Sequence, residues 1–442
     1  MKVEGYKCPN CSGAVKFDSS VQKMKCPYCD TEFETAVLEE YQKELEAIAQ
    51  DDFGWDLKGG GEEWAGDDLD CLTTGSCPSC GAELYGNEST VAMVCPCCGN
   101  AQIIAKRLDG MLKPDFVIPF RQDKKAAAAA LKNFCKGKPL LPKFFVEENN
   151  INCVQGIYAP YWLFDADAHG HIHYKATKVK KWADSRFHYV RTDHYSVVRD
   201  GNMGFEKIPV DASEKMDDAY MDAIEPFEYK TMENFHTSFL AGYAAEKYDV
   251  SADNSKGRAE RRVKSTIEKE FAKSVTGYAT VRAESTCVDV KKGKVSYALF
   301  PVWTLNTKYK EKNYQFMMNG QTGRLVGKLP VDKTKALGYS GLFTAAIGAA
   351  LTLGAHLYSG LDALMILIAW VIAAAAGFSI VHYWKMKMNT ARLKTLATEY
   401  MIPGSLSFKI KNDRFLFSKT TKTPRETAQT AGRVLQKTMS RR

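Results

Sequence analysis

The sequence predicts a multidomain fold with two small four-cysteine ribbons, a duplicated α+β region and a transmembrane helical hairpin. Three observations predict it: eight of the thirteen cysteines fall in four C-x-x-C pairs, short blocks recur in the middle of the chain, and two uncharged stretches of spanning length stand side by side.

The first cysteine set is Cys8, Cys11, Cys26 and Cys29, and the second, 69 positions on, is Cys77, Cys80, Cys95 and Cys98. Both read C-x2-C-x14-C-x2-C with proline inside every pair, and Met24 is matched by Met93, so the unit is an internal duplication. A C-P-x-C turn aims two thiolates at one metal, and a hairpin of about fourteen residues returns the second pair to complete a tetrahedron. Zinc ribbons are the predicted outcome, with two Zn2+ per chain. Units this small cannot bury enough surface to fold alone, so the metal supplies the folding energy. Four thiolate ligands leave no open position, which makes both sites structural rather than catalytic. Cys97 is a spare thiol beside Cys98, and Cys71 lies six residues ahead of the second set, which leaves ligand swapping open; the regular spacing favours Cys95 and Cys98.

Charge separates the parts of the chain. Residues 1–110 hold nine Lys/Arg against twenty Asp/Glu, a net −11, whereas residues 389–442 hold twelve against three, a net +9. Nucleic-acid binding by ribbons requires phosphate neutralisation, so the acidic surroundings favour protein recognition. No secretory signal is read at the polar start, Met1 to Tyr6, and paired thiols in an unexported segment are kept reduced, which points the ribbons to the cytosol.

Domain boundaries follow: a first zinc ribbon at 1–34, an amphipathic helix and acidic linker at 35–70, a second zinc ribbon at 71–110, a duplicated α+β cytosolic region at 111–332, a two-helix transmembrane hairpin at 336–385 and a basic cytosolic tail at 386–442. Thr35 to Gln50 places Val37, Leu38, Tyr41, Leu45 and Ile48 at helical spacing. The glycine-rich acidic stretch from Asp51 to Asp70 reads as a flexible linker with exposed Trp55 and Trp64, either a spacer or a short docking peptide.

In the middle region, helices are expected at Lys124 to Cys135 and Gly257 to Lys273 among aromatic-rich strands. Phe116 to Phe120 followed by a helix resembles Ala223 to Phe227 followed by a helix over Thr231 to Lys247, and Ala159 to Phe164 resembles Phe300 to Leu305. Two related α+β units are the reading.

Gly338 to Leu357 is twenty residues without Asp, Glu, Lys or Arg, enough to cross a bilayer core of about 30 Å, and Ala363 to Trp384 repeats it. Lysines flank the pair on both outer sides while the turn carries only Asp362, so the positive-inside rule puts both ends in the cytosol, as a multi-pass protein of the cell membrane. Gly341, Ala345 and Ala349 on one helix and Ala373 and Gly377 on the other offer small faces for packing. His356 and His382 sit at span ends, which gives a transport relay little support. The tail beyond Lys385 contains a strand at Phe415-Leu416-Phe417, and its charge fits either nearby anionic lipid or, less well, a nucleic-acid arm.

His169, His171 and His173 alternate and share one strand face; a polar face near solvent is the simpler reading, a metal site the sharper one. No phosphate loop, G-x-G-x-x-G, H-E-x-x-H or G-x-S-x-G is present, so no catalytic residues and no enzyme are expected.

The ribbon pairs, Lys113 to Phe120, Gly156 to Asp165 and Asn319 to Arg324 together resemble a family of bacterial membrane proteins described as TFIIB-type zinc-ribbon proteins. Many of these carry a replication-restart helicase label, which does not suit a chain lacking the phosphate loop. The resemblance implies recruitment of a phage-shock-protein-A-like or flotillin-like partner to the lipid bilayer in envelope stress. The second ribbon departs from the simplest relatives. The functional expectation is a non-enzymatic zinc-binding membrane adaptor or scaffold, with a membrane-tethered nucleic-acid binder as the rival.

Overall fold

The computed structural model describes residues 6–46, 50–64, 72–86, 95, 97–98, 104–106, 111–143, 145, 154–310, 312–359 and 363–425. In chain order its elements are β1 (Lys16–Asp18), β2 (Lys23–Lys25), β3 (Glu32–Phe33), α1 (Thr35–Glu46), β4 (Asp52–Asp56), β5 (Thr73–Ser76), β6 (Glu83–Gly86), β7 (Ile104–Lys106), β8 (Phe116–Val117) and α2 (Lys124–Cys135). There follow β9 (Val154–Ala183), β10 (Phe187–Asp211), α3 (Asp218–Ala223), β11 (Glu233–Asn234), β12 (Ala244–Glu246) and α4 (Ala252–Ala272). The last are β13 (Thr280–Tyr309), β14 (Lys312–Asn319), β15 (Leu325–Gly327), α5 (Lys333–Ser359), α6 (Ala363–Met386) and β16 (Ser407–Pro424).

Three long strands organise the molecule. β9 lies between β13 and β10, antiparallel to both, and β16 extends the sheet along the outer side of β10. Alternation explains one half of β9: Ala166, Ala168, Ile172, Tyr174 and Ala176 point to a buried face, whereas Asp167, His169 and His171 point to the other. Val263, Ile267 and Phe271 of α4 cover the buried face. The helix approaches so closely at Gly170 that a Cβ there would stand 2.6 Å from Ile267 Cγ2. Asp184 to Arg186 closes the β9–β10 hairpin at the free end of the sheet.

The opposite end holds the apolar helices. Trp303, Leu305 and Tyr309 pack with Leu131 of α2, with Val381 and with flanking Tyr339, Phe343 and Trp384. α5 and α6 are two helices long and apolar enough to cross a membrane, with mean hydropathy 1.5 and 2.5, and they leave most of their apolar side chains exposed. They meet through Ser340, Thr344 and Gly348 on α5 rather than through the expected Gly341, Ala345 and Ala349, which are exposed. A Cβ on Gly377 of α6 would lie 2.7 Å from Thr344 Oγ1, and one on Gly348 would lie 2.8 Å from the Trp370 ring.

The middle region is interleaved rather than two adjacent units. β8 runs parallel to β13, and β12 runs parallel to β9, so each short strand supports the long strand of the other half. The segment equivalent to Phe116–Phe120 is therefore Ala244 to Tyr248, followed by α4, and not Ala223 to Phe227. Thr231 to Lys247 forms short 3-10 turns and strands instead of the expected helix.

Two further expectations change. The stretch from Asp51 to Trp64 is no free linker: Phe53, Trp55 and Leu57 alternate, and β4 joins β13. Trp55 packs against Phe164 at 5.1 Å and donates to Glu260 at 3.1 Å, while Trp64 sits edge-on to Tyr85 and Phe235. Residues 386–442 are no uniform tail either, because Ser407–Pro424 is a full strand of the central sheet. Between α6 and β16 the chain returns to the body, where Tyr400 donates to Glu225 at 2.7 Å beside the Arg262–Glu225 ion pair, also 2.7 Å. A neighbouring cation, Arg258, holds Asp211 and Asp222 at 2.7 Å each.

Candidate metal centres

The three cysteine turns among the described residues are built the same way. Cys8 N–H donates to the Gly13 carbonyl (2.8 Å) while Ser12 N–H donates back to Cys8 (2.8 Å), and Cys26 with Thr31 and Asp30 (3.0 and 2.9 Å) repeats the pattern. Cys77 repeats it with Ala82 and Gly81, both at 2.9 Å. The residue four places after the first cysteine takes a left-handed conformation each time: Ser12 (φ 62), Asp30 (φ 54) and Gly81 (φ 75). Gly99 holds that place in the fourth turn and lies outside the described residues. These turns point both sulfurs of a pair inward.

The four Sγ atoms of Cys8, Cys11, Cys26 and Cys29 lie within 4.8 Å of one another, and those of Cys77, Cys80, Cys95 and Cys98 do the same. Cys8–Cys29 and Cys11–Cys26 are 3.6 and 3.4 Å apart, and Cys77–Cys98 and Cys80–Cys95 are 3.6 and 3.7 Å apart. A tetrahedral ion with bonds of about 2.3 Å sets its sulfurs about 3.8 Å apart, so both donor sets fit one. All eight sequence-chosen ligands are brought together in two groups that could hold metal.

One sulfur in each set is predisposed to ionise. Burial pushes Cys29 up, but the Thr31 hydroxyl and backbone N–H outweigh it and bring the thiol down to about 6. The Cys97 thiol brings Cys95 down to about 4 despite its burial. Burial raises Cys8 to about 12. Cys97 borders the cluster without joining the four sulfurs: its thiol meets Cys95 and also donates to Glu246 (3.6 Å), in keeping with its reading as a spare thiol. Cys71 lies outside the described residues.

The two centres differ in how they are held. The second is part of the body: β5, β6 and β7 join the large sheet through β12, and Cys77 and Cys95 are buried with Ile118, Ile157 and Tyr161. The first has its own three-stranded sheet and docks on β16 through Phe33, edge-on to Phe417 at 5.4 Å. α1 carries the rest of that dock. Its Glu40 and Glu44 reach Arg414 at 2.5 and 3.1 Å, and its Tyr41 donates to Glu284 at 3.2 Å. The sequence offered only the Phe415-Leu416-Phe417 strand as a signal for this contact.

α1 also explains the histidine stripe. His173 is fully buried beneath it, bonded to Ser196 (2.7 Å), 3.1 Å from Glu284 and beside the Tyr41 ring. His169 and His171 share the two oxygens of Asp200 at 3.1 and 3.0 Å. The three rings serve two carboxylates, Asp200 for His169 and His171 and Glu284 for His173, instead of a common centre, and the face is partly covered rather than open to solvent. Burial pushes Glu284 up, but bonds from His173 and Lys175 hold it at about 2.

Fold and site together define a class: a long-stranded β-sheet protein carrying two four-cysteine clusters and a pair of helices long and apolar enough to cross a membrane. The chain belongs to the same family as the uncharacterized protein YdjG of Bacillus subtilis (strain 168), to which it is 34% identical over 338 residues, 76% of this chain and 93% of that protein. No protein-family model matches the chain, and no solved structure matches it.

Proposed function

We propose that the chain is a zinc-binding membrane adaptor or scaffold that docks cytosolic proteins at the bilayer and performs no catalysis of its own. The observation that carries this reading is the placing of the first cysteine centre on β16, at the part of the sheet remote from α5 and α6. Zinc is the ion of choice, because a closed set of four thiolates at these separations suits it and leaves no site for substrate. α5 and α6 act as the anchor, with both chain ends cytosolic, in keeping with reduced thiols and flanking lysines.

Partner recognition then falls to an acidic, metal-stabilised head held away from the lipid. Resemblance to TFIIB-type zinc-ribbon membrane proteins supports a phage-shock-protein-A-like or flotillin-like partner. Nucleic-acid binding through the ribbons themselves is disfavoured by their net −11 surroundings.

Crosslinking in native membranes, followed by affinity capture, tests the reading. A partner of that kind is expected with the native chain and lost from the Cys8→Ser/Cys77→Ser variant. Unchanged capture from the double variant removes the ribbons from the adaptor role.

A further inference from the structure

The free end of the long sheet carries a surface that the adaptor reading does not use. Trp182 of β9 and Tyr189 of β10 are cross-strand partners, and their rings lie parallel (7°) with centroids 5.3 Å apart. Trp182 is 47% exposed, so the stacked pair presents a flat aromatic surface to solvent. Phe187 stands beside Tyr189 at 6.2 Å, with Lys422 Nζ 5.3 Å from the Phe187 ring centre.

Cations crowd this end. Residues 175–191 hold six Lys/Arg and one Asp, and residues 419–425 on the neighbouring strand hold three and no acid. Lys175 and Arg191 are paired with Glu284 and Asp193, whereas Lys180, Lys181, Arg186 and Lys422 are exposed. Arg425, just past the end of β16, donates its N–H to the Arg186 carbonyl at 2.8 Å.

Three polyanions match that charge, and geometry separates them. The apolar helices pack near the Tyr309 end of β13, and the strands between are 30 residues long, on the order of 90 Å of extended chain. The turn that closes the free end, Asp184 to Arg186, is polar and offers no side chain to insert into lipid. An acidic peptide needs the cations but not two parallel rings on an open sheet face. Bases of an unpaired strand use both, stacking on the rings while lysines neutralise the backbone.

We propose that this end of the sheet is a platform for single-stranded nucleic acid, read by stacking and charge and not by sequence. The platform is independent of the adaptor reading, since it uses neither the cysteine centres nor a protein partner.

Full-length protein in detergent, titrated into fluorescein-labelled 20-nucleotide oligo(U) and oligo(dT) and followed by anisotropy, tests it. Binding at 50 mM salt that weakens steeply toward 200 mM is expected. Trp182→Ala weakens it about tenfold while Trp182→Phe, which keeps a ring, retains most of it. Lys180→Glu with Lys422→Glu makes the log–log salt slope shallower by about 1 to 2. Absence of binding at 50 mM salt overturns the proposal, and so does binding that none of these variants alters. Displacement by polyglutamate or phosphatidylserine vesicles, equal in the native chain and Trp182→Ala, reduces the surface to a general polyanion patch and also overturns it.

Discussion

Trp162 and Trp303 hold the same post in the two halves of the sheet. Each indole nitrogen donates to the carbonyl just before a helix cap: Trp162 to Val250 at 2.8 Å, ahead of Ser251 and α4, and Trp303 to Gln122 at 2.9 Å, ahead of Asp123 and α2. Their aromatic neighbours correspond too, Tyr248 for Trp162 at 5.2 Å and Phe120 for Trp303 at 5.4 Å. Ala159 and Phe300, the counterparts at the start of the two matching blocks, pair directly across β9 and β13. A duplicated unit has therefore exchanged its first strand and helix with its twin.

Because the two bonds are equivalent, Trp162→Phe and Trp303→Phe should each cost about 1 kcal/mol, leaving a carbonyl without its indole donor. Thermal unfolding of the two variants in detergent checks this. Similar losses support the interleaved duplication; a loss at one site alone contradicts it.

The cysteine centres should respond unequally. Cys77 lies in the body core, so Cys77→Ser lowers the main thermal midpoint by at least about 5 °C. Cys8→Ser leaves that midpoint nearly unchanged and raises hydrogen exchange only in the first ribbon and α1, which pack together at the edge of the sheet. Midpoints combined with exchange maps separate the two outcomes.

Arg414 is the charged centre of the α1 dock, since it meets both Glu40 and Glu44 and is mostly buried. Arg414→Glu reverses the pairing and should speed amide exchange across Thr35–Glu46 about tenfold, with metal content unchanged. Loss of metal alongside would mean that the ribbon itself depends on the dock.

Asp211 supplies a pH dependence. Burial pushes its carboxyl up to about 7, against the downward pull of Arg258. A folded value above the unfolded one near 3.8 favours the protonated form, so its contribution is full below about 4 and is lost as pH rises through 7. Asp211→Asn stays neutral, and Arg258 keeps Asp222. The variant's midpoint should therefore gain on the native one between pH 5 and pH 8. A difference that does not vary with pH contradicts this.

Local signals in the sequence carried far. The cysteine spacing picked out all eight clustered sulfurs, α2 matches Lys124 to Cys135, and the uncharged runs match α5 and α6. Long-range pairing was harder to read. The exchange of β8 and β12 leaves no local trace, because a two- or three-residue strand takes its identity from the neighbour it meets. Acid-rich composition hid the alternation of Phe53, Trp55 and Leu57, and the histidine stripe gave no hint that α1 would cover it. The small face on α5 was misread by one residue, since uniformly small and apolar sequence does not say which stripe meets the partner helix.

The central claim is that both four-cysteine groups are closed zinc centres. Elemental analysis of full-length protein purified from membranes of the native organism, without added metal, tests it most directly. Two zinc ions per chain are predicted, falling to one with Cys8→Ser and one with Cys77→Ser. A value near zero, or another metal at that stoichiometry, contradicts the account.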